Sequence, residues 1–266
     1  MNRVKVGAVG YLNARPLVHG LDQSPRFDVR YDVPSECARL LHEGTIDIGL
    51  IPSIEYLRGG PYRIVPDLAI ASSGPVESVA IFTTKPMSHV RSIAIDTSSR
   101  TSVALTRVLC ARHFMIDPRF EPHGPDLAGM LARCDAALII GDVALFESPG
   151  RGPESTLEKI DLGEVWTAFT GLPFVYAFWA GRPGALTVDD VEALRRARDE
   201  GVQRPEQIAR DYLADSPERQ EIGRRYLRHN IKYYLGDDER AGLVMFYRYA
   251  TEVGVVSSAR ALDFYR

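Results

Sequence analysis

Cysteine, tryptophan and long apolar runs are all scarce in this sequence. Its 266 residues include 3 Cys and 2 Trp. Cys37, Cys110 and Cys134 lack the close Cys-x-x-Cys spacing of a metal or redox pair, which favours a reducing compartment. No stretch approaches the roughly 20 consecutive apolar residues of a membrane span. Because a strand pattern begins almost at once, without the apolar region of an export signal, we expect a cytoplasmic protein.

A strong charge of one sign is also missing. The chain carries 32 Lys and Arg against 35 Asp and Glu, for a formal net charge of -3. No overall field attracts nucleic acid or anionic lipid, so neither is a predicted partner. The patterns Gly-x-Gly-x-x-Gly after the first strand, Gly-x-Ser-x-Gly and His-Glu-x-x-His are absent. A redox cofactor, a serine triad and a zinc site are therefore unsupported.

Short β-branched runs alternate with helical patterns through the first two thirds of the chain, which predicts a mainly parallel sheet covered by helices. One α/β unit is interrupted by another, with strand-like crossings near residues 83 and 175. This pattern predicts an α/β clamshell of two lobes, residues 1–83 with 176–266 and residues 84–175. The predicted strands are Val4–Val9, Phe27–Val33, Ile46–Ile51, Ser78–Thr83, Ile93–Asp96, Ala136–Ile140 and an aromatic strand within Thr170–Trp179.

In a clamshell the ligand lies in the cleft, where helix N-termini suit small carboxylates. The segment after the first strand contains Asn13 and Arg15. One interpretation is that Asn13 binds a substrate oxygen and Arg15 binds a carboxylate. The other makes Asn13 a turn residue and Arg15 a salt-bridge partner. Ser53 follows a buried strand, and we expect it chiefly to be a helix N-cap, with ligand binding as the alternative.

The strongest pattern is the segment 96–102, Asp-Thr-Ser-Ser-Arg-Thr-Ser, with five hydroxyl groups and one Arg in seven residues. It joins a strand to a helix and contains Ser99, Arg100, Thr101 and Ser102. Without the glycines and Lys of a nucleotide-binding loop, it favours a carboxylate ligand. The alternative is a well-capped helix with no ligand.

Three further segments are weaker candidates. Gly141 permits close backbone approach after a strand, and Asp142 is expected to cap the next helix or to face ligand. Ser78 precedes the first crossing, and Thr170 with Gly171 precedes the second. Hinge and cleft coincide in clamshells, so all of these positions are candidate site residues.

The same segments resemble the successive motifs of the chorismate dehydratase family of the futalosine route to menaquinone. They run in order through most of the chain: Gly10-Tyr-Leu-Asn-Ala-Arg-Pro-Leu17, Asp47-Ile-Gly-Leu-Ile-Pro-Ser53, Ile95-Asp-Thr-Ser-Ser-Arg-Thr-Ser102, Ala137-Leu-Ile-Ile-Gly-Asp142, Thr170-Gly-Leu-Pro-Phe174, Tyr233-Tyr-Leu-Gly236 and Gly242-Leu-x-x-Phe-Tyr247. The resemblance implies a type II periplasmic-binding-protein-like fold used as an enzyme. It also implies dehydration of chorismate to 3-[(1-carboxyvinyl)oxy]benzoate, with no cofactor.

The resemblance further suggests roles for the site residues. Arg100, Thr101 and Ser102, with the adjoining backbone, hold one substrate carboxylate, and Asn13 and Ser78 orient the reacting face. The base is left open between the enolpyruvyl carboxylate of the substrate and Asp142.

Three other functions share the expected fold. A solute-binding protein of a transporter binds without chemistry, although the lack of an export signal argues against it. A regulatory effector-binding domain is disfavoured because no helix-turn-helix pattern precedes the first strand. The sister family that makes dihydroxynaphthoate in the same pathway is the nearest enzymatic alternative.

Overall fold

The computed structural model describes residues 3–148 and 157–266, and these form two lobes, each built on a five-stranded sheet. The strands of the first sheet are β1 (Val4–Val9), β2 (Phe27–Asp32), β3 (Ile48–Pro52), β4 (Arg63–Ser72) and β10 (Phe174–Gly181). Their spatial order is β2-β1-β3-β10-β4. Strands β1, β2 and β3 are parallel, and β10 runs antiparallel to both β3 and β4.

The second sheet repeats this arrangement. Its strands are β5 (Val79–Thr83), β6 (Ser92–Asp96), β7 (Arg119–His123), β8 (Ala136–Ile140) and β9 (Glu158–Asp161). Their order is β7-β6-β8-β5-β9, with β6, β7 and β8 parallel and β5 antiparallel to its neighbours. In each lobe the antiparallel strand is the one that arrives from the other lobe.

Helices cover both sheets, and most of the C-terminal third is helical. The short helices are 3-10 turns at Leu12–Val18, Leu21–Gln23 and Met87–His89 and a π-helical turn at Tyr226–Asn230. The α-helices are α1 (Pro34–Glu43), α2 (Glu55–Arg58), α3 (Arg100–Arg112), α4 (Leu127–Leu131), α5 (Gly141–Phe146), α6 (Leu162–Thr170), α7 (Val188–Val202), α8 (Pro205–Tyr212), α9 (Pro217–Arg225) and α10 (Asp237–Glu252). None within the described ranges is long and apolar enough to cross a membrane.

The lobe boundaries in the sheets differ from the predicted ones. Strand β5 pairs with β8 and β9 of the second sheet, so the first crossing is the segment 73–78 and not residues 83–84. Strand β10 pairs with β3 and β4, which places the second crossing at residues 171–173. Strand β5 was predicted to belong to the first lobe, because a fully buried strand carries no sign of which sheet it joins. Residues 176–181 of β10 were predicted in the first lobe, where this strand pairs.

The sequence predicted seven of the ten strands in the described residues and missed three. Strands β1 and β8 have the predicted bounds, whereas β4, β7 and β9 were not predicted. All three lie at sheet edges. Strand β4 contains Pro66 and the positive-φ residue Asp67 (φ 68), features that an edge strand tolerates and that hide its pattern.

Candidate active site

A small cavity of about 50 Å³ lies between the lobes, where the end of β1, the first crossing, β10 and the start of α3 meet. Aliphatic side chains form much of its wall, among them Val9, Ile70, Val76, Val79 and Ile140. Its polar side chains are all neutral: Tyr11, Asn13, Ser78, Ser99, Ser102 and Tyr176. A neutral polar cavity with aliphatic walls suits a reaction that is guided by hydrogen bonds rather than by a protein ion.

Asn13 belongs to the 3-10 turn Leu12–Val18, directly after β1. Its Oδ1 atom is buried and accepts no hydrogen bond from the described residues. A buried acceptor without a partner costs free energy unless a ligand supplies the missing donor. The Asn13 side chain therefore has a free hydrogen-bond acceptor beside the cavity that it lines.

Ser78 ends the first crossing and is 2% exposed. Its Oγ atom accepts a hydrogen bond of 2.6 Å from the Tyr226 phenol, which lies on the π-helical turn of the first lobe. Its carbonyl oxygen accepts a 2.8 Å bond from the Gly141 amide at the start of α5. Contacts with both lobes thus fix Ser78 at the cavity wall.

The N-terminus of α3 presents Ser99 and Ser102 to the same cavity. Ser99 is the N-cap: its Oγ accepts a 3.3 Å bond from the Ser102 amide and donates a 2.9 Å bond to the Ser102 Oγ. The first amides of a helix have no partner within the helix and carry the positive end of its dipole. This end of the cavity is therefore suited to a carboxylate.

Arg15, predicted to bind a carboxylate, does not line the cavity. Its guanidinium carbon lies 4.7 Å from the centroid of the Tyr31 ring and 4.8 Å from that of Tyr212. Its Nη2 atom donates a 3.2 Å bond to the Gly10 carbonyl. In this conformation Arg15 has a cation–π environment and packs the outer side of the turn.

Arg100 also points away from the cavity and pairs across the lobes with Glu55, 2.6 Å from its Oε2. Glu55 is 1% exposed and also contacts His42 at 2.9 Å and Arg58 at 3.1 Å. Burial raises the pKa of the Glu55 carboxyl, but its bonds with His42, Arg100 and Arg58 outweigh burial and leave that pKa below its ordinary value. Arg100 is therefore the partner of a buried carboxylate of its own chain.

Ser53 and Thr101 meet each other where the lobes touch, outside the cavity wall. Ser53 Oγ donates a 2.8 Å bond to the Val175 carbonyl, and Thr101 Oγ1 accepts a 3.2 Å bond from the Ile54 amide. Ser53 is not the N-cap of α2, as had been expected, because Ile54 takes that position.

Asp142 does not cap α5 with its side chain, contrary to the expectation, but joins the lobes. Its carboxylate accepts a 3.1 Å bond from the Leu12 amide and a 2.5 Å bond from the Tyr212 phenol. Burial raises the pKa of Asp142, and these two bonds reduce the rise without cancelling it. Asp142 thus anchors the turn that carries Asn13.

Thr170 and Gly171 shape the second crossing and do not reach the cavity. Thr170 Oγ1 donates a 2.8 Å bond to the Trp166 carbonyl, and Gly171 caps α6 with a φ of 72°. That left-handed conformation favours glycine and turns the chain toward β10.

Comparison with known proteins gives the family. A family model described as menaquinone biosynthesis matches residues 4–252. Chorismate dehydratase of Thermus thermophilus is 33% identical over 259 residues, covering 91% of this chain and 93% of the relative. The chain belongs to the chorismate dehydratase family of menaquinone biosynthesis.

Solved structures with little sequence identity show the same fold as this family member. Protein AF1704 from Archaeoglobus fulgidus has a TM-score of 0.74 at 16% identity, covering 96% of this chain and 98% of its own. The periplasmic aliphatic sulphonate binding protein SsuA from Escherichia coli has a TM-score of 0.63 at 14% identity, covering 96% and 92%. The predicted periplasmic-binding-protein-like clamshell is confirmed.

Five of the predicted site residues meet at the cavity of this chorismate dehydratase family member: Asn13, Ser78, Ser99, Ser102 and Gly141. The remaining predicted residues lie outside its wall: Arg15 packs on aromatic rings of its own lobe, and the others lie at lobe contacts or at the second crossing. Tyr226 contacts Ser78 and was missed, because no local pattern links residues 148 positions apart. Within the described residues no group of three or more His, Cys, Asp or Glu could hold a metal.

Proposed function

We propose that this protein is a chorismate dehydratase, a hydro-lyase that converts chorismate to 3-[(1-carboxyvinyl)oxy]benzoate. The family and the dehydratase of Thermus thermophilus, 33% identical, support the activity. The observation that carries the proposal is the inter-lobe cavity, where the aliphatic walls are accompanied by neutral polar groups that include a free amide oxygen of Asn13 and a fixed hydroxyl of Ser78.

The reaction needs positioning more than a strong protein acid or base. The C3–H bond and the C4–O bond of chorismate break, a C3–C4 double bond forms, and the hydroxide and proton leave as water. The ring becomes aromatic, which supplies the driving force. The remaining tasks are to hold two carboxylates, to exclude water and to help a poor leaving group depart.

The substrate roles follow from the geometry of the polar groups. One carboxylate binds at the N-terminus of α3, where Ser99 and Ser102 line the cavity. The C4 hydroxyl donates to the Oδ1 atom of Asn13 and accepts from the Ser78 hydroxyl. Charge that develops on the leaving oxygen then meets a hydrogen-bond donor already in place.

The base in this proposal is the enolpyruvyl carboxylate of the substrate. None of the Asp, Glu and His residues in the described ranges lines the cavity wall. The protein alternative, Asp142, has its two carboxylate oxygens engaged by Leu12 and Tyr212. The enolpyruvyl carboxylate is attached to C3 through one oxygen and one carbon, so it can reach the C3 proton through a six-membered arrangement.

Substrate entry requires the lobes to separate. The cavity measures about 50 Å³, whereas small-molecule sites commonly measure about 300 Å³ or more. The two crossings, 73–78 and 171–173, are the covalent connections about which the lobes can open.

Incubation of the purified protein with chorismate tests the function. We expect an aromatic product with the mass of chorismate minus water, and on the order of a hundredfold less of it with Asn13→Ala at the same protein concentration and time. Tight binding of chorismate without turnover by the wild type would instead indicate a solute-binding protein.

A further inference from the structure

Tyr226 is a buried polar residue that the mechanism above does not use. It is 1% exposed, and its phenol donates to the Ser78 Oγ over 2.6 Å. It is the first residue of the π-helical turn Tyr226–Asn230. Such turns are uncommon and occur frequently at functional sites, because the extra residue redirects the side chains around it.

The bond from Tyr226 determines which way the Ser78 hydroxyl points. A serine hydroxyl has one hydrogen to donate and two lone pairs that accept. Since one lone pair accepts from Tyr226, the hydrogen of Ser78 is directed away from the phenol. The Ser78 side chain lines the cavity, so that hydrogen is available to a ligand.

The Tyr226 phenol remains a hydrogen-bond donor to Ser78. Burial raises the pKa of Tyr226 far above the ordinary tyrosine value, and the side chains of Ser78 and Asn13 only reduce that rise. Tyr226 therefore stays protonated over the working pH range and supplies no proton to the reaction. The phenol therefore lies near Asn13 as well as Ser78.

The backbone around Ser78 is held against the turn of Tyr226 by two further contacts. Asn230 Nδ2 donates a 3.0 Å bond to the Pro75 carbonyl, and Arg225 lies 3.6 Å from the Glu77 carboxylate. Glu77 has a φ of 60°, a conformation that costs free energy for a non-glycine residue and needs support from its surroundings. The segment 225–230 thus fixes the crossing that presents Ser78.

We propose that Tyr226 is a positioning residue for the dehydration, holding the Ser78 Oγ so that its hydroxyl hydrogen points at the leaving C4 hydroxyl of chorismate. The inference rests on the proposed function. It assigns Tyr226 a role in the transition state through Ser78 and no direct contact with the substrate.

Substitution at Tyr226 and Ser78, singly and together, tests this role. Tyr226→Phe keeps the buried ring and removes the donor, so we expect kcat to fall about tenfold with KM within about twofold of wild type. Ser78→Ala is expected to lower kcat by about a hundredfold. Adding Tyr226→Phe to Ser78→Ala should cause no further loss, because Tyr226 then has no hydroxyl to position.

Tyr56→Phe is the matched control. Tyr56 is also 1% exposed and its phenol donates a 2.9 Å bond to the Ala261 carbonyl, away from the cavity. It should lower the melting temperature by a similar amount while leaving kcat unchanged. Two results would overturn the inference without affecting the proposed function, provided that the wild type converts chorismate. One is an unchanged kcat in Tyr226→Phe. The other is a fall in kcat from Tyr226→Phe that is as large in the Ser78→Ala background as in the wild type. A wild type that does not convert chorismate would overturn both.

Discussion

The two lobes present equivalent turns to the cavity, and the turns differ in what they offer. The first-lobe turn, residues 10–15, follows β1, and the second-lobe turn, residues 97–102, follows β6. Each strand occupies the same place in its sheet. The first turn contributes an amide, Asn13, with a free oxygen, whereas the second contributes hydroxyls at the start of a helix. The first is suited to guide a leaving group and the second to bind an anion.

The two turns are alike in the direction of their arginine side chains. Arg15 and Arg100 both face away from the cavity, one against aromatic rings and the other against Glu55. A carboxylate in this site is therefore expected to bind to helix amides and hydroxyls. This keeps the cavity neutral and leaves the substrate's own carboxylate as the strongest base within it.

Each turn is also held by a carboxylate from the opposite lobe. Asp142, after β8 of the second lobe, accepts from the Leu12 amide at the first-lobe turn. Glu55, after β3 of the first lobe, pairs with Arg100 of the second-lobe turn. Because β3 and β8 are equivalent strands, the two contacts are reciprocal and both depend on closure of the cleft.

The largest expected effect is a loss of kcat on substitution of Asn13, which would identify the first-lobe turn as the one that acts in the chemical step. Asn13→Ala should lower kcat on the order of a hundredfold, because the bond that the C4 hydroxyl donates to Asn13 fixes the orientation of the C4–O bond for elimination. Binding of chorismate should stay within about tenfold of wild type, as measured by equilibrium titration. If turnover survives while the melting temperature falls, Asn13 is only a turn residue.

A smaller effect is expected at the second-lobe turn, where binding dominates. Ser102→Ala removes a hydroxyl from the carboxylate site and should raise KM about tenfold with little change in kcat, because the contact is made in the ground state and in the transition state alike. Steady-state kinetics with chorismate measures both constants.

Thr106→Val is the control for that change. Thr106 lies one turn further along α3 and donates its hydroxyl to the Ser102 carbonyl over 2.8 Å, so the variant loses a buried hydroxyl outside the cavity. Equal KM values for the two variants would show that the effect comes from the helix and not from the site.

The positions of the site segments could be predicted, but not the direction of each side chain. Strand ends and the cap at Ser99 are local features, so Asn13 and Ser102 were placed correctly near the cleft. Residues 99 and 102 share one face of the helix start, while 100 and 101 face the other lobe. Which face points into the cavity depends on packing between the lobes. Glu55 and Ile54, which are distant in sequence, supply the partners of Arg100 and Thr101. The sequence therefore could not predict that Arg100 pairs with Glu55 in this conformation.

The next prediction separates the two possible roles of Arg100. If it stabilises closure by pairing with Glu55, Arg100→Ala and Glu55→Gln should each raise KM about fivefold, the equivalent of about 1 kcal/mol. The double variant should be no worse than either single one, because both changes remove the same interaction. Kinetic measurement of all three variants gives the comparison.

Arg39→Ala provides the control, since its ion pairs with Glu36 and Glu43 lie within α1 and do not join the lobes. It should leave KM unchanged. A rise in KM for Arg100→Ala alone, with Glu55→Gln at the wild-type value, would show that Arg100 releases Glu55 and binds the substrate carboxylate itself.

The smallest expected effect concerns the reciprocal contact at Asp142 and appears as a dependence of stability on pH. Burial raises the pKa of this carboxyl in the folded protein above 3.8, its ordinary value in the unfolded chain. Between these two pKa values the folded protein binds more protons than the unfolded chain. The contribution of Asp142 to the free energy of unfolding therefore falls as pH rises through that window and is level above it.

Asp142→Asn lacks this titration but keeps an acceptor for the Leu12 amide. Urea unfolding at several pH values from about 4 to about 7 should show wild type losing stability relative to Asp142→Asn as pH rises. The opposite trend would mean that the bonds from Leu12 and Tyr212 outweigh burial, so that the first-lobe turn is held more strongly by the ionised carboxylate than by its protonated form.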